Sequence, residues 1–318
     1  MKYALVFPGQ GAQQIGMGKE LYDNFAEAKN VFDAANEILG YDLKKLVFGG
    51  PDEELKQTIH TQPAVFTASA ACLEALKSLY PGIVSAASMT AGHSLGEYTA
   101  LYAAGVFDLK EGLSLVKQRA QFIQEGSQKN KGTMAAIMGL DGAKLAELCS
   151  QITKSKGIVE PVNFNAPGQV VVSGTVDGVG ELVNLAKTNG ALKAVPLAVS
   201  GPFHSSLLRE AAQKMGEALK NAALNDAKVP VVANYDAEVT TSAGEIKAKL
   251  AKQIDHPVYW EKSVGVMLAS GIDTFIEIGP GKVVSGMIKR INKQAKTFNV
   301  EDRASLEKTL TELRNAGA

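Results

Sequence analysis

Gly92-His93-Ser94-Leu95-Gly96 carries the glycine–serine–glycine spacing of a nucleophile elbow, a tight turn between a strand and a helix. A serine hydroxyl is a poor nucleophile unless such a turn holds it out beside a base. The turn brings backbone against backbone, so the positions two before and two after the serine must be small, and Gly92 and Gly96 meet that need. Residues 95–104 contain no proline and end at Gly105, a favourable residue just past a helix end. Residues 83–91 are apolar but rich in alanine and serine, a weaker strand pattern. The spacing recurs in unrelated proteins, so the elbow alone leaves function open.

Outward from the elbow, strands and helices alternate. Residues 3–7 are a short apolar run stopped by Pro8-Gly9, the pattern of a buried strand. Helical patterns cover 18–39 and 62–79, with Pro63 expected in the first turn of the second. Asp108 is expected to cap a helix to about residue 125, with Glu111 as its capping-box partner. Beyond residue 198 the pattern predicts helix 205–221, strand 229–233, helices 242–254 and 260–269, and strand 274–278. That strand stops at Gly279-Pro280-Gly281, and a helix follows to about residue 291. This alternation predicts a largely parallel sheet flanked by helices.

The middle reads differently. Strand 133–138 is followed by helix 143–152, with Leu145, Leu148 and Ile152 on one face. Strands 158–165 and 169–173 join at Ala166-Pro167-Gly168, and helix 179–186 and strand 192–199 complete a βαββαβ, ferredoxin-like order. The fold class expected is therefore α/β. A large catalytic domain (1–127 and 199–318), with an α/β-hydrolase-like core, carries an inserted ferredoxin-like subdomain (128–198).

Composition limits the function classes. The 318 residues hold 33 Lys+Arg and 33 Asp+Glu, a formal net charge of zero that argues against a general nucleic-acid binder. Cys72 and Cys149 lie far apart in apolar helix-like stretches, so buried thiols are expected rather than a disulfide or metal site. No apolar run approaches the roughly 18 residues of a membrane span, and Met1-Lys2 leads straight into a strand-like segment, so no signal peptide is expected. A cytoplasmic protein with no membrane contact is expected.

The serine needs a base, and there are four histidines. His93 lies inside the elbow, with its ring expected to point away from the Ser94 proton. His60 precedes a helix start, and His256 precedes Pro257 in an extended break. His204, in Gly201-Pro202-Phe203-His204-Ser205, sits between a predicted strand and helix and is the best base by position. No acid to orient it stands out. Asp108, Asp141 and Asp177 read as caps or turn residues, and Glu277 is ambiguous, so a backbone carbonyl is an alternative.

The turn Phe7-Pro8-Gly9-Gln10-Gly11-Ala12-Gln13 fails as a dinucleotide fingerprint because Gln14 holds the third glycine position. It fails as a phosphate loop because Met17 stands where lysine is needed. The Gln10 and Leu95 N–H groups are instead candidates to face a developing oxyanion. Arg119 borders the apolar face of its helix, which fits either a solvated arginine or a bidentate clamp for a substrate carboxylate.

Together these residues resemble the malonyl-CoA:acyl carrier protein transacylases of fatty-acid synthesis and the related acyltransferase domains of polyketide synthases. Seven motifs occur in order: FPGQGAQ (7–13), TQPA (61–64), GHSLGEY (92–98), QR (118–119), NAPGQVVVSG (165–174), GPFH (201–204) and EIGPGK (277–282). The resemblance implies Ser94 as the acylated nucleophile, His204 as general base, Gln10 and Leu95 as oxyanion donors, and Arg119 as the malonyl carboxylate site. It also implies substrate contacts from Phe203, whose bulk would crowd an α-methyl group, and from His93. The backbone carbonyl of Gln253 would orient His204, while His256 stands where the family more often has asparagine.

The implied reaction is a ping-pong transfer whose substrates are malonyl-CoA and the phosphopantetheine thiol of acyl carrier protein. No cofactor or metal is expected, and a monomer is the expected state. Polyketide-pathway malonyl transfer and a serine thioesterase or hydrolase on the same elbow are the alternatives, with a non-catalytic carrier-protein or nucleotide-binding module as a further one. Lys282, Lys289, Arg290 and Lys293 form a basic stretch that fits either docking of an acidic carrier protein or a solvated helix face.

Overall fold

Five consecutive apolar residues buried on both faces require a strand covered from two sides, and in the computed structural model, which describes residues 1–315, this is β1 (Tyr3–Phe7). Helices α1 (Lys19–Asn24), α2 (Ala26–Leu39), α3 (Leu43–Gly49), α4 (Asp52–Leu55) and α5 (Thr58–Leu79) follow, then β2 (Met89–Gly92), α6 (Gly96–Ala103) and α7 (Leu109–Lys129). The middle holds β3 (Thr133–Met138), α8 (Gly142–Ser155), β4 (Val159–Ala166), β5 (Gln169–Gly174), α9 (Val176–Thr188) and β6 (Lys193–Pro196). The chain continues through α10 (Arg209–Asn221), β7 (Val231–Val232), β8 (Val239–Thr240), α11 (Ala243–Gln253) and α12 (Trp260–Ala269). It closes with β9 (Thr274–Ile278), α13 (Val283–Ile291), β10 (Lys296–Val300) and α14 (Arg303–Asn315).

The large sheet has the order β10-β9-β1-β2-β7-β8 and is parallel except at β7–β8. Alternation along β1 sends Tyr3, Leu5 and Phe7 into one core and Ala4 and Val6 into another. The first core takes residues from α2, α5 and α7, and the second takes Trp260, Val264 and Met267 of α12 with Val284 and Ile288 of α13. The result is a helix–sheet–helix sandwich, each fully buried large apolar side chain contributing about 1.5–3 kcal/mol. Among the described residues no helix is long and apolar enough to cross a membrane.

The second sheet, β4-β5-β3-β6, is antiparallel, with two helices in the βαββαβ order expected of a ferredoxin-like unit. Ala135, Ile137, Val170 and Val172 pack under α8 and α9. Met134, Ala136, Val162 and Val171 form the opposite face, against Leu197, Val199 and Phe203. Strand β4 ties this sheet to the large unit: the Phe164 N–H donates to the Val258 carbonyl (3.0 Å), and the Val258 N–H to that of Val162 (2.8 Å). The Phe164 and Tyr259 rings stack at 5.3 Å.

Several local expectations change. The 18–39 helix is two helices, because Phe25 turns extended (φ −128°, ψ 122°) and packs against the core. Helix α5 begins at Thr58, so Pro63 lies in its second turn and not its first. Asp108 does cap α7, accepting from the Glu111 N–H at 2.8 Å, but the Glu111 carboxylate accepts from the Ala223 N–H instead of closing a capping box. The 229–233 strand shrinks to Val231–Val232, since Pro230 accepts from the Thr90 N–H yet has no N–H to donate.

Both elbow glycines are sterically required. A Cβ on Gly92 would lie 2.0 Å from the Gly96 carbonyl carbon, and one on Gly96 would lie 2.3 Å from the Phe7 oxygen. Gly92→Ala is expected to destabilise the protein by more than about 3 kcal/mol in urea unfolding. Gly180→Ala, at an exposed α9 position with nothing within 4 Å, should be neutral or stabilising by up to about 1 kcal/mol. Equal effects of the two would contradict the close-approach account.

Candidate active site

Because β1 and β2 pair in parallel with Phe7 opposite Gly92, the turns that follow them meet at the carboxyl edge of the sheet. A Cβ on Gly9 would come within 2.3 Å of the His93 oxygen, so backbone rests on backbone. Ser94 stands at this junction with φ +52°, a conformation non-glycine residues seldom adopt. Side chains hold it there. The Asn234 Oδ1 accepts from the Ser94 N–H (2.6 Å), and its Nδ2 donates to the Gly92 carbonyl (2.7 Å), spanning the turn. The Gln253 Nε2 donates to the Ser94 carbonyl (2.9 Å).

Ser94 Oγ lies 2.7 Å from His204 Nε2. His204 Nδ1 lies 2.8 Å from the Gln253 carbonyl, which only accepts, so the proton sits on Nδ1 and the Nε2 lone pair faces the serine. His204 has a left-handed backbone as well, φ +60°. It does not end a strand of the large sheet, as position in sequence implied; it lies on the segment returning from β6 of the small sheet to α10. Burial first, and then the neighbouring Arg119 charge, push its pKa down to about 3, while the Gln253 and His256 carbonyls act the other way. The ring is therefore a neutral base throughout the physiological range.

Arg119 is buried, not solvated: 2% of it is exposed. Its Nη1 donates to Gln62 Oε1 (2.6 Å), and its Nη2 to Ser94 Oγ (3.2 Å) and Gln253 Oε1 (3.1 Å). The guanidinium lies over the Tyr98 ring, 5.6 Å from its centre. Ser94, His204, Arg119 and Gln62 line a cleft of about 650 Å³ between the sheets, with Phe203, and Met134 and Val171 of the small sheet, among its walls. Among the described residues, neither the Gln10 nor the Leu95 N–H has a protein acceptor. Leu95 opens the first turn of α6, where N–H groups lack helical partners.

The other candidates fall elsewhere. His93 lines the cleft, but its Nε2 is tied to Asn165 Oδ1 of β4 at 2.8 Å, with the ring edge-on to Trp260. His60 faces Tyr41, and His256 is bonded to the Lys252 carbonyl and Asp255. Asp108 and Asp141 are helix caps, and Asp177 lies in the first turn of α9. Glu277 accepts from the Val284 and Ser285 N–H groups (3.0 and 2.7 Å) at the start of α13. None of these acids bonds to His204, whose orienting partner is a carbonyl.

Lys282 and Arg290 line the cleft; Lys282 is 3.7 Å from Glu301, Arg290 bonds to Gln169, and Lys293 lies beyond the helix end. Sequence reasoning passed over Gln62, Glu97, Asn234 and the Gln253 side chain. Gln62 and Glu97 sit inside quoted motifs, whereas Asn234 has no motif to mark it.

A family model described as an acyl transferase domain matches residues 4–314. A malonyl CoA-acyl carrier protein transacylase of Bacillus subtilis (strain 168) is 46% identical over 313 residues, covering 98% of this chain and 98% of its own. The crystal structure of an acyl-carrier-protein S-malonyltransferase from Burkholderia pseudomallei 1710b superposes with a TM-score of 0.92 at 42% identity, over 98% of this chain and 100% of that one. A malonyl-transacylase solved in complex with a type II polyketide synthase acyl-carrier protein gives 0.93 at 40% identity, over 98% and 100%.

A lowered His204 pKa has a direct spectroscopic consequence. Imidazole ¹⁵N spectra should place the His204 proton on Nδ1 from pH 8 down to at least about pH 5, with no titration near the ordinary 6.5. A midpoint between 6 and 7 would contradict the geometry.

Proposed function

The chain belongs to the acyl transferase domain family, and on that premise we infer that it moves malonyl from coenzyme A to the phosphopantetheine thiol of acyl carrier protein through a malonyl-Ser94 ester, in fatty-acid biosynthesis. The observation that carries the reading is Ser94 Oγ held between His204 Nε2 (2.7 Å) and Arg119 Nη2 (3.2 Å). A base alone fits any serine acyl-enzyme. A buried guanidinium on the same hydroxyl favours an acyl group that ends in a carboxylate.

In the first half-reaction Ser94 Oγ attacks the thioester carbonyl while His204 Nε2 takes its proton. The oxyanion is met by the Gln10 and Leu95 N–H groups; losing one such donor typically costs about a hundredfold to a thousandfold in rate. Collapse expels the coenzyme A thiolate, which recovers the proton from His204. In the second half-reaction His204 takes the proton of the carrier-protein thiol as its sulfur attacks the ester, and Ser94 Oγ leaves with that proton. The Gln253 carbonyl does the orienting work of an acid here, stabilising the imidazolium that forms at each step.

Arg119 holds the substrate carboxylate, fixing the malonyl carbonyl over Ser94 and presenting the ester to thiol rather than water. Phe203 stands where the acyl α-carbon would carry a branch and disfavours a methyl group there. His93, tied to Asn165, supports the cleft wall.

Three measurements check this. Intact mass after malonyl-CoA should rise by one malonyl group, and Ser94→Ala should abolish the gain. Arg119→Ala should lower kcat/KM for malonyl-CoA about a hundredfold or more while the serine stays acylable by acetyl-CoA. Phe203→Ala should raise use of methylmalonyl-CoA relative to malonyl-CoA about tenfold. Fast coenzyme A release without a thiol acceptor would instead favour a hydrolase.

A further inference from the structure

Arg119 poses a charge problem. Its guanidinium is buried, and its three hydrogen-bond partners, Gln62, Gln253 and Ser94, are all neutral. A buried cation without a counterion is costly. Among the described residues no carboxylate pairs with it directly; the carboxylate joined to it is Glu97 of α6, and the joint is the side chain of Gln253. Gln253 Oε1 accepts from Arg119 at 3.1 Å, and Gln253 Nε2 donates to Glu97 Oε2 at 2.6 Å. The amide has one possible orientation here, because a guanidinium only donates and a carboxylate only accepts. Its second N–H goes to the Ser94 carbonyl, and Glu97 also accepts from the Asn234 N–H at 3.2 Å.

A direct ion pair would occupy the guanidinium fork that a substrate carboxylate needs. One amide of separation supplies the opposite charge while keeping a carboxylate off the guanidinium, whose buried Nε has no protein partner among the described residues. We propose that Glu97 is the remote counterion of Arg119 and a specificity-determining residue, whose charge offsets Arg119 in the resting site and opposes the incoming carboxylate of a dicarboxylic acyl group. The hold on malonyl is thereby tempered, and the acyl group can be both captured and released. The inference rests on Arg119 receiving the substrate carboxylate, as proposed above.

The charge on Glu97 varies near neutrality. Burial is the main influence, pushing its pKa up to about 7; Gln253, the Asn234 N–H and Arg119 of α7 pull it down, and Asp236 beyond β7 pushes it up. Asp236 is itself paired with Lys249 of α11 at 3.0 Å, and Tyr98 and His204, the other titratable groups beside Arg119, are uncharged at neutral pH. Below about pH 7 Glu97 is neutral and Arg119 holds malonyl tightly; above it the anion competes. The malonyl carboxylate itself stays ionised throughout.

The test uses the Ser94→Ala protein, which binds without turnover. Malonyl-CoA and acetyl-CoA are titrated calorimetrically from pH 6 to 8.5, acetyl-CoA controlling for titration of the shared phosphates. The malonyl-CoA Kd should rise about tenfold across this range and the acetyl-CoA Kd should not. Adding Glu97→Gln should hold the malonyl-CoA Kd at its low-pH value. A flat malonyl-CoA Kd without any Glu97 substitution overturns the inference, as does a Glu97→Gln protein that weakens both ligands equally. Arg119→Ala is the separating arm. If it leaves malonyl-CoA binding unchanged, the carboxylate reading falls and the inference with it; if it abolishes the malonyl preference while the pH profile is flat, the inference alone fails.

Discussion

Two backbone turns touch at the carboxyl edge of the large sheet, and the chemistry depends on that contact. β1 and β2 are parallel neighbours in register, so whatever follows Phe7 must lie beside whatever follows Gly92. Gly9, Gly92 and Gly96 let the turns close to a distance at which any Cβ would collide with backbone. That approach puts the Gln10 and Leu95 N–H groups on adjacent turns and lifts Ser94 into a left-handed conformation. Such a conformation costs on the order of 1–3 kcal/mol, and Asn234 and Gln253 offset it by bonding to both sides of the turn.

Gln253 joins the parts of the site. Its carbonyl orients His204, its Oε1 accepts from Arg119, and its Nε2 donates to Glu97 and to the Ser94 carbonyl. Nucleophile, base and cation are thus referred to one residue at the end of α11. The site manages without an acidic partner for the histidine because a neutral carbonyl fixes the tautomer, while burial and then the nearby Arg119 charge hold the imidazole unprotonated.

Legibility in the sequence followed burial. β1 is covered on both faces and reads as an unbroken apolar run, β9 is buried along its length with Glu277 the one charged interruption, and both have the residues expected of them. β10, Lys-Thr-Phe-Asn-Val at the sheet edge, lacks that run and left no signal. The break at Phe25 has no glycine or proline to announce it. In the site, Ser94 and His204 could be found because side-chain type carries their chemistry. The contribution of Gln253 runs through a main-chain carbonyl, which no residue type reveals, and it entered only through family resemblance. Glu97 reads locally as an ordinary acid in a first helical turn; its isolation beside a buried guanidinium is a tertiary fact.

The segment carrying His204 runs between the small sheet and the large core, with Phe203 packed against both and Leu208 in the large core. Leu197, Val199 and Phe203 lie on that sheet's inner face, and the Ser206 N–H is held by Glu160 of β4 at 2.8 Å. Ser94 is rooted in the other core. Nucleophile and base therefore meet, at 2.7 Å, where the two cores join. A local opening at this join that parted His204 from Ser94 would disarm the serine without global unfolding. Catalytic competence is in this sense a property of the seam between the two cores.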